Sequence, residues 1–204
     1  MKKFSGLAVA LVAIMLVMAT PANADVFRFH FHGKFAEAAW DVSTPTRDTF
    51  ASVQVTKDEL FADVFTVRFD TNGNLTGATD TFADVTGGYT FRIAKKYGSA
   101  SVTGSGIPAE RCTYDANFDL IGCSETTISL NVTWTATGPL THDTSNDHFK
   151  SDGFSFNEHF NGATREASAS GTIAGHTFTA DDVEFADLGR VNSGSIERCI
   201  GTAC

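Results

Sequence analysis

Apolar and polar residues alternate with period two along almost the whole chain, and beyond its first residues no stretch sustains a 3.6-residue apolar period. Phe27, Phe29 and Phe31 alternate with Arg28, His30 and His32. Ala51, Val53 and Val55 alternate with Ser52, Gln54 and Thr56, and Tyr89, Phe91 and Ile93 with Thr90 and Arg92. Phe65, Val67 and Phe69 read as the apolar side of another strand, against Thr66 and Arg68. The cleanest run sets Ile128, Leu130, Val132, Trp134 and Ala136 against Ser129, Asn131, Thr133 and Thr135. Side chains of successive strand residues point to opposite faces, so each run predicts a strand with one apolar and one wet face. That pattern belongs to antiparallel sheets. Turn formers at Asn72-Gly73, Gly87-Gly88 and Ala174-Gly175 separate the runs. The best helical candidate, Lys57 to Asp63, is about two turns and reads equally well as a bend. The expectation is an all-β chain, an antiparallel two-sheet β-sandwich, with a closed antiparallel β-barrel as the alternative.

The first 24 residues stand apart. Lys2 and Lys3 precede an unbroken apolar run from Leu7 to Met18, and Ala22-Asn23-Ala24 has the small-x-small pattern of a signal-peptide cleavage site. The run is too short to span a bilayer comfortably. Residues 1–24 are therefore expected to be a signal peptide and residues 25–204 a single all-β domain, secreted or periplasmic.

The cysteines suit an oxidising compartment. Cys112, Cys123, Cys199 and Cys204 all follow the leader, and their spacing suggests the pairs 112–123 and 199–204. Asp115, Asn117 and Asp119 form a turn between the first two. Counting outward from a turn centred between Asn117 and Phe118 sets Cys112 directly opposite Cys123, within disulfide reach. There is no CxxC and no histidine near any of the four in sequence, so a thiolate metal site is not expected.

Charge excludes some partners. The formal net charge is −9, and removing Lys2 and Lys3 with the leader makes the rest more acidic. No basic face suited to nucleic acid is visible. A membrane barrel would need an apolar, aromatic-girdled outer face, whereas the wet faces here read Ser-Asn-Thr-Thr and Arg-His-His. No membrane insertion is expected.

Two internal echoes emerge. His30-Phe31-His32-Gly33 resembles His159-Phe160-Asn161-Gly162 at an offset of 129 residues, and Phe27 falls on Phe156 at the same offset. Asp70-Thr-Asn72-Gly-Asn74 resembles Asp115-Ala-Asn117-Phe-Asp119, which suggests two hairpins with the same turn chemistry.

Candidate chemistry is sparse. His30 and His32 share one strand face about 7 Å apart, a spacing at which two imidazoles can hold one metal ion. The echo offers His159 as a third ligand, with Glu158 and Asn161 beside it. Imidazole ligands without thiolate favour a transition metal such as Zn. A second group, His142, Asp143, Asp147 and His148, falls in a polar stretch read as a loop. Asp70, Asn72 and Asn74 alternate as calcium ligands do but lack a glutamate at the twelfth position, so a hairpin turn is preferred. Asp181, Asp182 and Glu184 read as a solvated turn. No nucleophile elbow occurs, and a hydrolase would need two carboxylates that the sequence does not single out.

These residues point to a non-catalytic binding or surface-associated module with an extracellular or periplasmic ligand and no resident cofactor. The alternatives are a metal- or small-ligand-binding barrel built on His30, His32 and His159, and a secreted hydrolase.

Overall fold

The computed structural model describes residues 25–151 and 154–200. The leader and Cys204 lie outside them. Ten strands follow one another: β1 (Asp25–Thr44), β2 (Arg47–Thr56), β3 (Leu60–Phe69), β4 (Leu75–Val85), β5 (Tyr89–Ile93), β6 (Ser99–Tyr114), β7 (Leu120–Ser151), β8 (Phe154–Ile173), β9 (His176–Phe178) and β10 (Val183–Ile200). The described residues hold no α-helix, only 3-10 turns at Lys95–Tyr97 and Ala180–Asp182. Lys57 and Asp58 form the bend before β3.

Every pairing is antiparallel, and all ten strands belong to one sheet rather than to the two expected of a sandwich. The order is β10-β1-β2-β3-β4-β6-β7-β8-β9, with β5 on β6, and an added β10–β8 pairing closes a ring through β1, β2, β3, β4, β6, β7, β8 and β10. The core lies on one face of this ring. Trp40, Val53, Val55, Leu60, Val64, Val102, Ile107, Leu130, Val132, Trp134, Ile173 and Leu188 are all buried in it. On β7 the alternation is as expected, with Ile128, Leu130, Val132 and Trp134 buried and Ser129, Asn131, Thr133 and Thr135 exposed.

On β3 the faces are exchanged. Leu60, Ala62 and Val64 enter the core, while Phe65 and Val67 take the opposite face. The strand is apolar on both sides, so its own pattern does not choose. Register does: Val64 pairs with Ala51, which is itself committed to the core.

The strands are not of one length. Ahead of Phe35, β1 pairs only with β10. The outer parts of β10, β8 and β7 pair in turn, so a β1-β10-β8-β7 sheet extends beyond the ring. Phe27, Phe29 and Phe31 belong to this extension, not to strand positions of the ring. The 129-residue echo is its register: β1 and β8 flank β10, and residues that far apart meet the same β10 residue. His30 and His159 both pair with Ser195, Gly33 and Gly162 with Val191, and Glu37 and Glu166 with Asp187. Close backbone approach explains two glycines here. A Cβ on Gly162 would stand 2.4 Å from the Arg190 carbonyl oxygen, and one on Gly189 2.4 Å from that of Ala163.

Candidate functional site

The extension carries the sequence-predicted histidines. His30 pairs with Ser195, Ser195 with His159 and His159 with Asn146, so these positions form one row across four strands. The next row is Arg28, Glu197, Asn157 and His148. Directly paired residues share a face. β10 lies between the strands of His30 and His159, which separates the two backbone positions by about 10 Å. His32 is exposed beside a register shift between Phe31 and Gly33.

An open recess of about 370 Å³ lies over these rows, lined by Asn146, Asp147, His148, Asn157, His159, Ser195 and Glu197. His159 Nδ1 bonds Asn146 Oδ1 at 2.6 Å, and His148 Nδ1 bonds Asn157 Oδ1. An amide oxygen only accepts, so in each contact Nδ1 is the donor, and in the neutral ring that tautomer leaves Nε2 its lone pair. The His159 Nε2 meets the Ser193 hydroxyl at 3.4 Å. Rings fixed at Nδ1 with Nε2 available match the way metal-binding histidines are oriented by their outer partners.

The structure thus joins His159 of the first candidate group to His148 of the second. The second group does not converge as a whole. Its stretch is strand, the outer half of β7, and His142 pairs with Ala163, about 20 Å along the strand from His148. It reads as a loop because Thr, Ser, Asn and Asp occupy both faces where no core demands alternation. Asn146, Asn157 and Glu197 were not legible as site residues. The signal for the two asparagines is the Asp152-Gly153 dipeptide, a strong hairpin former. Counting outward from it pairs His148 with Asn157 and Asn146 with His159, as observed.

The remaining candidates resolve locally. Asp70 Oδ1 accepts the Asn72 and Asn74 amides, and its Oδ2 accepts the Asn74 side-chain amide. Asp115 Oδ1 likewise accepts the amides of Asn117 and Asp119, the shared turn chemistry the echo implied. Asp182 Oδ2 accepts the Thr179 amide and hydroxyl. Cys112 and Cys123 pair directly across β6 and β7 and form a disulfide. The expected Cys199–Cys204 bond falls outside the described residues.

Two acidic groups sit away from the recess. Asp63 is buried on the face opposite the core, and burial, then a hydrogen bond and repulsion from Asp80, raises its pKa well above the usual carboxylate range. Asp63 Oδ1 and Asp80 Oδ1 have no hydrogen-bond partner. In the row Glu37, Asp187, Glu166, burial first and Glu166 second push the Asp187 carboxyl up to about 6. Neither group lines the recess. No helix among the described residues is long and apolar enough to cross a membrane. Compared with protein-family models, curated proteins and solved structures, the chain matches none.

Proposed function

We propose that this is an exported, non-catalytic binding protein whose ligand surface is the imidazole-bearing face of the β1-β10-β8-β7 extension. Its ligand there is a transition metal ion such as Zn. The observation that carries the reading is the pair His148 and His159, each fixed at Nδ1 by an asparagine oxygen above one recess. Glu197 lines the same recess, and the His30 position of β1 pairs with Ser195, which also lines it. Two imidazoles and a carboxylate suit Zn, Cu or Ni; the ligand atoms of His148, His159 and Glu197 do not all lie within 4.8 Å of one another, so binding would turn these side chains inward, the metal taking the place of the Ser193 hydroxyl at His159 Nε2. The ring of pairings supports the closed β-barrel alternative for the fold, and exposed Ser129, Asn131 and Thr133 on β7 favour a watery surround. Export rests on the leader in residues 1–24.

The test is a zinc and copper titration of metal-free protein by calorimetry, against His148→Ala, His159→Ala and His32→Ala. Wild type is expected to bind, and the first two changes to weaken binding tenfold or more. Affinity should also fall in acid as imidazole protonates. Loss in His32→Ala as well would bring β1 into the ligand set. Equal, weak binding by wild type and a His148→Ala/His159→Ala double variant would overturn the reading.

A further inference from the structure

At the other end of the ring the core-facing side changes character. Its last rows run Val42, Thr49, Thr66, Thr79 and then Thr44, Arg47, Arg68, Gly77. Arg111 joins from β6, opposite Thr81, and its Nε donates to the Thr81 hydroxyl at 3.1 Å. Thr49, Thr66 and Thr81 are buried, and the hydroxyls of Thr49 and Thr66 lie 3.5 Å apart. The Arg68 guanidinium lies over Gly77, where an added Cβ would meet its Nη2 at 3.4 Å. His176 on β9 stacks on Phe178, which stacks on Trp40, and burial first, then the nearby Arg47 and Arg111, disfavours its protonation.

This concentration of positive charge runs against an acidic chain. Arg47 and Arg68 are directly paired across β2 and β3, an arrangement that destabilises a sheet when both residues carry the same charge. Among the described residues no carboxylate comes within 4 Å of Arg47, Arg68 or Arg111. The acids adjacent in sequence, Asp48 beside Arg47 and Glu110 beside Arg111, alternate to the opposite face of their strands, and Asp70, two residues after Arg68, has its carboxylate engaged in its own turn. A like-charge cluster with no internal counterion, above buried hydroxyls, is a clamp for an external anion. Guanidinium groups match oxyanions bidentately, and threonine hydroxyls add further donors.

We infer that Arg47, Arg68 and Arg111, with the hydroxyls of Thr49 and Thr66 beneath them, form a binding site for a tetrahedral oxyanion, a phosphate or sulfate group. The site is separate from the histidine face and does not depend on it. Bound anion neutralises the Arg47–Arg68 repulsion, so the ligand stabilises the fold.

The experiment measures thermal unfolding of the full mature chain in phosphate, in sulfate and in chloride at matched ionic strength, with Arg47→Gln, Arg68→Gln and His148→Ala alongside. Phosphate or sulfate is expected to raise the wild-type Tm by a few degrees over chloride. Arg47→Gln and Arg68→Gln should lose that rise while their Tm in chloride stays equal to or above wild type, because removing one guanidinium relieves the repulsion. His148→Ala should keep the rise. Phosphate affinity by calorimetry should drop tenfold or more in either arginine variant. A wild-type Tm equal in all three salts, or a rise retained in both arginine variants, would overturn the inference.

Discussion

Asp63 shows how one residue departs from its surroundings. On the face opposite the core it lies in the row Ser52, Asp63, Phe82, with Phe61 and Phe65 two residues away along β3, and it is buried there. A charged carboxylate there is costly, so burial shifts Asp63 toward the neutral acid in the folded chain. Asp187 follows the same rule, with burial and Glu166 holding it up to about 6 against an ordinary 3.8. The folded chain binds these protons more tightly than the unfolded chain, so their stabilising contribution is complete at low pH and is lost as pH rises. For Asp187 the loss runs from about pH 4 to about pH 6, and the raised Asp63 carboxyl adds a loss of the same sign as pH rises. The urea midpoint should therefore decline across this range. Asp63→Asn should be more stable than wild type at neutral pH, by on the order of 1 kcal/mol. A midpoint independent of pH would show that neither proton is held.

The β6–β7 hairpin is the element most completely specified by its own residues. Asp115 accepts the amides of Asn117 and Asp119, Phe118 takes a positive φ of 62°, Tyr114 pairs with Leu120 beside the turn, and a register shift between Thr113 and Tyr114 then brings Cys112 opposite Cys123. The Asp70 turn repeats the arrangement with Gly73 at the positive-φ position. Closing so short a loop should stabilise the fold by about 2–3 kcal/mol, mainly by restricting the unfolded chain. Peptide mapping without reductant should recover Cys112 linked to Cys123, and the Cys112→Ser/Cys123→Ser pair should lower the unfolding free energy by that amount. A Cys112–Cys199 peptide would contradict the hairpin register.

The ring as a whole is held by contacts no local pattern announces. Trp134 Nε1 on β7 donates to the Glu37 carbonyl on β1 at 2.9 Å, and Trp40 Nε1 on β1 donates to the Ala169 carbonyl on β8 at 3.2 Å. These indoles tie strands that are not neighbours in the pairing order. Both are fully buried and fill the middle of the core. Trp134→Phe removes a buried donor and leaves unfilled volume, so it should cost about 2–4 kcal/mol in urea unfolding. A cost below about 0.5 kcal/mol would mean that strand pairing alone holds the ring.

All-β class, the antiparallel sense, the Asp-Asn turns and the Cys112–Cys123 bond were readable from residue order, because strand period and turn chemistry act between near neighbours. The number of sheets was not. Whether the ring closes depends on β10 pairing with β8 on one side and, on the other, with β1 from the opposite end of the chain. The face of β3 was equally hidden, since both its sides are apolar and only pairing with β2 selects Val64 over Phe65. The same holds for the sites. Arg47, Arg68 and Arg111 are isolated charges in sequence, and His148 and His159 belong to different segments. Only the register of paired strands makes them neighbours, because it alone converts separation along the chain into distance in space.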